Sequence, residues 1–282
     1  MDRGDISVTL PWMGAGTEFV CRLVDALPDD VLRGPSGLPG WSRAHVVAHL
    51  ARNAEGLCRL ARWARTGEET PMYSSPEARN ADIERSATYP IAQLRSDLIR
   101  TADELDATFA ALDLIAWRAT VRNAQGLDIS ASELPWLRVR EVWLHAVDLD
   151  AGARMEDIPD AVVDALLDDV TRTLSAKDDC PAAELIPTDR DRTWPLGLGG
   201  GTAIHGTAAG LLGWLTGRTS SAASMSGVST LRQSMFGRRS TRAPSGVNSV
   251  RCTSVNRQVL PSTCVPACAS LIVCRCICSS NS

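Results

Sequence analysis

In the first 150 positions, apolar residues recur every three or four residues in several long stretches, which is the spacing of one face of an α-helix. This pattern predicts four long helices and one short helix, over about 14–28, 41–65, 91–115, 135–151 and 77–85. Ser42 stands where the second helix needs an N-cap, and Pro135 fits the first turn of the fourth long helix. Long helices joined by short or moderate connections predict a four-helix bundle.

The pattern changes after residue 155, where helical spacing gives way to a mixture of signals. A helix is predicted over about 161–174, short strands over 184–194 and 196–198, and a last helix that ends near Gly217. The glycine run 197–201 lacks the Gly-Lys-Ser/Thr of a phosphate-binding loop and is predicted to form a strand turn. We therefore expect a mainly α chain, with a bundle over 8–152 and a small α+β domain over 155–220.

Composition separates residues 221–282 from the rest of the chain. This segment has seven Arg and no acidic residue, so positions 1–220 hold 22 basic and 33 acidic residues. It is rich in Ser, Thr and Cys without any lasting period, and we expect a low-complexity tail that is disordered or not native to the protein. A trimming experiment that removed the tail without loss of activity would support this interpretation.

The acidic balance of residues 1–220 argues against nucleic acid as a partner. No uncharged apolar run approaches the roughly 18 to 20 residues that span a bilayer, so a membrane partner is not expected either. The first residues carry acidic charge and no apolar segment typical of a secretory signal. We expect a cytoplasmic protein whose Cys21, Cys58 and Cys180 are reduced.

Two segments of the predicted bundle carry the candidate chemistry. The second helix contains His45 and His49, and the fourth contains Glu141 and His145, each pair at i,i+4 spacing. Side chains at that spacing lie about 5–6 Å apart on one helix face. The face of Glu141 and His145 is also the apolar face, where burial of a carboxylate is costly unless the carboxylate is paired or binds a metal.

The residues alone leave two interpretations open. His49, Glu141 and His145 are three ligands of the kind that hold a catalytic zinc ion with one open coordination position. Alternatively, Glu141 and His145 form a buried ion pair beside Arg138 or Arg140. Asp148, one turn after His145, has three possible roles: to orient a ligand histidine, to act as an acid or base, or to be only a helix-end charge.

At these residues the chain resembles the mycothiol-dependent maleylpyruvate isomerase family, a group of DinB-like metal-binding bundles. Three stretches carry the resemblance, and they lie at 38–53, 134–149 and 211–218. The resemblance covers about residues 8–220 and implies a DinB-like bundle followed by a small α+β domain. It also implies zinc, or another divalent metal, on His49, Glu141 and His145, and roles in catalysis or substrate binding for Asp148 and Arg218.

The resemblance further implies a reaction. Mycothiol, a small-molecule thiol, would add as thiolate to the cis double bond of maleylpyruvate, a small carboxylate. Rotation and loss of the thiolate would then leave the trans isomer. Two alternatives stay open: transfer of mycothiol to another electrophile by the same zinc site, and a metal-binding bundle that is not an enzyme. Fumarylpyruvate formation would identify the isomerase, and a stable thioether the transferase.

Overall fold

The structure is a computed structural model, and it describes residues 2–198, 200–218 and 226–227. The N-terminal part contains α1 (Ile6–Ala26), α2 (Asp29–Arg33), α3 (Arg43–Thr66), α4 (Pro76–Ala87), α5 (Ile91–Ala110), α6 (Leu114–Trp117), β1 (Thr120–Arg122), β2 (Asp128–Ser130) and α7 (Leu134–Asp148). The C-terminal part contains α8 (Asp160–Ser175), β3 (Ala183–Pro187), β4 (Trp194–Leu196), β5 (Thr202–Gly206) and α9 (Ala208–Leu215). The mainly α fold class predicted from the sequence is confirmed.

The four long helices α1, α3, α5 and α7 form the bundle. Helix α3 packs against α5 and α7, and α1 packs against α7, so α3 and α7 lie side by side. The apolar stripes that predicted these helices are buried between them, with Val46, Leu50, Leu57, Leu94, Leu98 and Leu105 at most 2% exposed. Burial of these stripes is the main contribution to the stability of the bundle.

The predicted start of the first helix at residue 14 was wrong, because α1 begins at Ile6. The Asp5 side chain accepts a hydrogen bond from the backbone N–H of Ser7 and caps the helix. Pro11 therefore lies inside α1, where it lacks the N–H that the helix would use. The buried face continues through this segment to Thr9, so packing outweighs the missing hydrogen bond.

The segment between α5 and α7 also differs from the prediction. Helix α5 ends at Ala110, and the Asp113 side chain accepts from the backbone N–H groups of Ile115 and Ala116 to start the short helix α6. The predicted connection over 118–133 contains an antiparallel hairpin of β1 and β2. The Asn123 side chain accepts from the N–H groups of Gln125 and Leu127 and closes its turn.

The C-terminal part is the predicted α+β unit. Its sheet has the order β4-β3-β5, with β3 antiparallel to β4 and parallel to β5, and α8 and α9 pack against it. The predicted strand turn 197–201 lies between β4 and β5, which flank β3 in the sheet, and its residue 199 is outside the described residues. The third strand, β5, was not predicted, because its sequence Thr-Ala-Ile-His-Gly does not alternate apolar and polar residues.

The tail predicted over 221–282 lies outside the described residues except at 226 and 227. There, the backbone N–H and C=O of Ser226 pair with those of His205, at the free edge of β5. Within the described ranges, no helix combines the length and the apolar character needed to cross a bilayer.

Candidate metal centre

Helices α3 and α7 bring together two imidazole rings and one carboxylate. The Nε2 atom of His49 lies 2.7 Å from Oε2 of Glu141, and Nε2 of His145 lies 3.1 Å from the same oxygen. One ligand atom from each of the three side chains falls within 4.8 Å of the other two. The three residues proposed as ligands from the sequence therefore converge on one point.

Local structure explains why His49 enters this cluster and His45 does not. The Ser42 hydroxyl accepts from the backbone N–H of His45, and the His45 ring in turn contacts the Ser42 backbone, so His45 closes the N-terminal cap of α3. Its Nε2 faces Glu84, at 3.2 Å. His49, one turn later, is only 4% exposed and packs beside the ring of Trp41.

Burial sets the charge of His49. Desolvation lowers the pKa of His49 to about 4, even though the neighbouring Glu141 carboxylate favours the charged ring. Burial of Glu141 opposes its ionisation, but hydrogen bonds from His145 and His49 hold the pKa of Glu141 well below its usual value. At neutral pH the cluster therefore contains a neutral His49 ring beside an anionic Glu141.

The second ring is held from behind by an acidic side chain. Asp148 Oδ2 lies 2.8 Å from Nδ1 of His145 and 2.6 Å from a guanidinium nitrogen of Arg218. Burial alone would lower the pKa of His145, but the bonds with Asp148 and Glu141 outweigh it and the pKa is raised. For Asp148, burial is likewise outweighed, here by Arg218 and His145, and its pKa is lowered.

The end of α9 places Arg218 at this point. Gly217 adopts a left-handed conformation with φ of 73°. The N–H of Arg218 bonds to the C=O of Gly213, and the N–H of Gly217 bonds to the C=O of Trp214, which together form a Schellman turn. The turn directs the Arg218 side chain back towards α7, so the C-terminal part contributes to the surroundings of the cluster.

The donor set fits a divalent metal ion. Two imidazole nitrogens and a carboxylate oxygen are the ligands of many catalytic zinc sites, and an orienting carboxylate on the far nitrogen of a ligand histidine, here Asp148, is common in them. The alternative interpretation was a buried ion pair of Glu141 and His145 beside Arg138 or Arg140, and the Glu141 and His145 side chains do lie 3.1 Å apart. In the structure, Arg138 donates to the Leu50 C=O and to Asn53, while Arg140 lies 3.3 Å from Asp169.

The cluster borders a cavity that leads outward from the bundle. A small inner space of about 60 Å³ has His49 and Glu141 in its wall. It adjoins a larger space of about 490 Å³. The two spaces share the lining residues Met72, Tyr73, Arg79, Ala124 and Gln125. A small molecule can therefore occupy the cavity with one end near the cluster.

Arg79 is the residue at this site that the sequence reasoning missed. It lies on the short polar helix α4, is 7% exposed, and places a guanidinium nitrogen 3.1 Å from Nδ1 of His49. The sequence holds no signal for this position, because α4 has a weak apolar stripe and one of its several charged residues looks like any other. Only the packing of α4 on α3 brings Arg79 to the cluster.

The fold and the cluster define a helical-bundle protein with a buried two-histidine, one-carboxylate centre and an appended α+β domain. Residues 13–150 match the model of the mycothiol maleylpyruvate isomerase N-terminal domain, and residues 157–244 match that of the corresponding C-terminal domain. The second match thus extends into the segment expected to be a tail. The chain belongs to the mycothiol-dependent maleylpyruvate isomerase family, which confirms the resemblance.

Solved structures support the same conclusion. A crystal structure of the mycothiol-dependent maleylpyruvate isomerase is 35% identical, with a TM-score of 0.72, and the match covers 76% of this chain and 90% of that chain. A histidine-to-alanine variant of that enzyme matches with a TM-score of 0.73 at the same identity and coverage. No curated protein sequence matches the chain significantly. The chain is thus homologous to an isomerase enzyme.

Proposed function

We propose that this chain is a metal-dependent maleylpyruvate isomerase that uses mycothiol. The observation that carries the proposal is the convergence of His49, Glu141 and His145 beside a cavity, in a chain of this family. Zinc is the proposed metal, since imidazole and carboxylate donors with an open position suit it. When bound, such an ion would lower the pKa of a thiol and make thiolate available near neutral pH.

The residues around the ligands have proposed roles of their own. Glu141 and His49 face the inner cavity and would hold the ion where a ligand can reach it. Asp148 accepts from the far nitrogen of His145 and thereby fixes which ring nitrogen is free to bind. Arg218 holds Asp148 ionised. The contributions to catalysis proposed for Asp148 and Arg218 are supported by these contacts, through which both position His145.

The proposed reaction also indicates where the protein works. A thiol cofactor has to stay reduced, and the cysteines at 21, 58 and 180 are free. Both observations favour the cytoplasm, and the acidic charge of residues 1–220 favours small-molecule partners over nucleic acid. The two small-molecule partners would be the thiol and a carboxylate substrate.

Metal analysis and turnover test the proposal together. The full chain should contain about one zinc ion, and Glu141→Gln should contain much less, because the ligand loses its charge. The matched control is Glu18→Gln, an exposed carboxylate on α1 of the same bundle, which should keep the metal. Unchanged zinc in Glu141→Gln would overturn the ligand assignment.

Turnover is followed as fumarylpyruvate formed from maleylpyruvate, with and without mycothiol. Formation that requires both mycothiol and the metal supports the proposal. A stable thioether of mycothiol would instead identify a transferase. No turnover of any electrophile by the zinc-loaded chain would mean a metal-binding protein without this activity.

A further inference from the structure

The Arg79 guanidinium makes an unusual contact with the metal-ligand candidate His49. One of its nitrogens lies 3.1 Å from Nδ1 of the ring, another lies 3.1 Å from Oδ1 of Asn80, and its central carbon lies 5.5 Å from the centre of the Tyr73 ring. No carboxylate of a described residue lies within ion-pair distance of this guanidinium. Arg79 is therefore a buried cation without an anionic partner in the part of the chain that the structure describes.

Hydrogen-bond accounting fixes which ring nitrogen of His49 carries hydrogen. A guanidinium only donates, so Nδ1 of His49 has to accept from Arg79. The hydrogen of the neutral ring then sits on Nε2 and is donated to Glu141, 2.7 Å away. This arrangement satisfies all three side chains as they stand.

The same accounting conflicts with metal binding by His49. A metal ion near Glu141 would use the lone pair of Nε2, and the hydrogen of the neutral ring would move to Nδ1. That hydrogen would face the donor of Arg79, and two donors cannot bond to each other. Arg79 therefore cannot keep its present hydrogen bond to His49 when a metal ion is bound to the ring.

We propose that Arg79 is the specificity residue of this site, which leaves His49 when the metal binds and then clamps a carboxylate of the ligand in the adjoining cavity. The proposal rests on the metal site of the proposed function. Arg79 lines both the inner and the outer space, so its guanidinium can move outward without leaving the cavity wall. A planar guanidinium binds a carboxylate through two parallel hydrogen bonds, which favours this ligand group over a neutral one.

Of the other guanidinium groups near the cluster, that of Arg138 donates to the Leu50 C=O and to Asn53 and does not line the cavity, and two are paired with carboxylates. Arg218 contacts Asp148, and Arg140 lies against Asp169. Since Arg79, unlike these two, lacks a carboxylate among the described residues, a ligand carboxylate would complete its environment. Metal binding should then strengthen carboxylate binding and the reverse, because the metal releases the Arg79 guanidinium from His49 and the carboxylate binds to that guanidinium.

Metal affinity of Arg79 variants provides the first test. Zn²⁺ is titrated into the full metal-free chain in competition with a chromophoric chelator. We expect Arg79→Met to bind Zn²⁺ about tenfold more tightly than the wild type, because no hydrogen bond to a charged donor has to be broken. Arg79→Lys keeps a cationic donor and should stay nearer the wild type. Arg85→Met, an exposed position on the same helix, is the control and should show no change.

Coupling to a carboxylate provides the second test, with maleate as the probe. Maleate should tighten Zn²⁺ binding to the wild type severalfold, and Zn²⁺ should tighten maleate binding by the same factor. Arg79→Met should lose this coupling, and Arg79→Lys should keep part of it. Full coupling in Arg79→Met would mean that maleate binds without the clamp, and this result would overturn the proposal.

The experiments distinguish a failure of the proposed function from a failure of the role proposed for Arg79 alone. If the wild-type chain binds no Zn²⁺, the proposed function and this inference both fail. If the wild type binds Zn²⁺ but Arg79→Met binds it no more tightly, only the role of Arg79 is refuted. Thermal unfolding of each metal-free variant shows that the protein is folded, so that a loss of binding is not mistaken for a loss of structure.

Discussion

Replacement of Asp148 by Asn tests how the cluster is held in place. Asp148 is 3% exposed, and one of its oxygens contacts both Nδ1 of His145 and the guanidinium of Arg218, at 2.8 and 2.6 Å. Asn has nearly the same shape but no charge. Its amide oxygen can take the place of Oδ2 and still accept from His145 and Arg218, but it brings no negative charge to balance the guanidinium.

The structure sets the size of both effects. Arg218 would keep a buried positive charge without an anionic partner, since its side chain is 5% exposed. Breaking such a buried pair costs about 3 to 5 kcal/mol of folding free energy. A carboxylate that orients a ligand histidine typically contributes about 10- to 100-fold to metal affinity. Asp148→Asn should therefore lower both the stability of the metal-free chain and its affinity for Zn²⁺.

Urea denaturation and competitive Zn²⁺ titration measure the two effects separately. The control is Asp150→Asn, whose side chain is 72% exposed in its contact with Arg43, and which should change stability by less than about 0.5 kcal/mol. The double variant Asp148→Asn/Arg218→Met removes both charges and should recover most of the stability but not the metal affinity. Wild-type Zn²⁺ affinity in Asp148→Asn would refute the orienting role, and no recovery in the double variant would refute the unpaired-charge argument.

Three further predictions concern pH, packing and the metal. Because the pKa of His49 falls to about 4 in the folded chain, only the unfolded chain binds this proton between pH 6.5 and 4. The metal-free protein should lose about 3 kcal/mol of stability as the pH falls through that window. Urea denaturation at several pH values should show that the free energy of unfolding depends less on pH in His49→Gln than in the wild type. The exposed control His205→Gln should behave like the wild type. The same pH dependence in both variants would contradict the role of His49. In α1, a Cβ on Gly16 would lie 2.4 Å from Val142, whereas Gly14 faces open space. Gly16→Ala should therefore lower the free energy of unfolding by about 1 to 3 kcal/mol, and Gly14→Ala should raise it by about 0.5 to 1 kcal/mol. Similar effects at both sites would rule out close packing of α1 on α7. A chelator that removes the metal should lower the Tm of the wild type. If the free metal was present at about 100 times its Kd, the free energy of unfolding falls by about 2.7 kcal/mol. The Tm of His49→Ala should not change with the chelator.

Local patterns were sufficient to predict the parts of the site that lie on one helix. Glu141 and His145 are four residues apart, and the periodicity of α7 puts them on the same buried face. Asp148 follows His145 by three residues, which places the two side chains within hydrogen-bond reach on the same helix. The geometry of a helix was enough to predict the first relation, whereas for Asp148 the sequence left three roles open and the structure shows its bond to His145.

The same reasoning was weakest where one local signal competed with packing. Pro11 is a poor residue for a helix interior, and the first helix predicted from apolar spacing began only after it, at residue 14. The cap at Asp5 and the buried face of α1 outweigh that local cost. The hairpin of β1 and β2 was missed for a related reason, since strands of three residues are too short for periodicity to show.

By itself, the sequence determined the bundle, the α+β domain, the shared face of Glu141 and His145 and, through resemblance to a family, the candidate ligands. Only the tertiary structure decided that His49 meets Glu141 across 92 positions of the chain, that Arg218 reaches Asp148 from the C-terminal domain, and that Arg79 contacts His49. Helical spacing determines how side chains are placed on one element. Their approach from different elements depends on how whole apolar faces pack, which no local pattern contains.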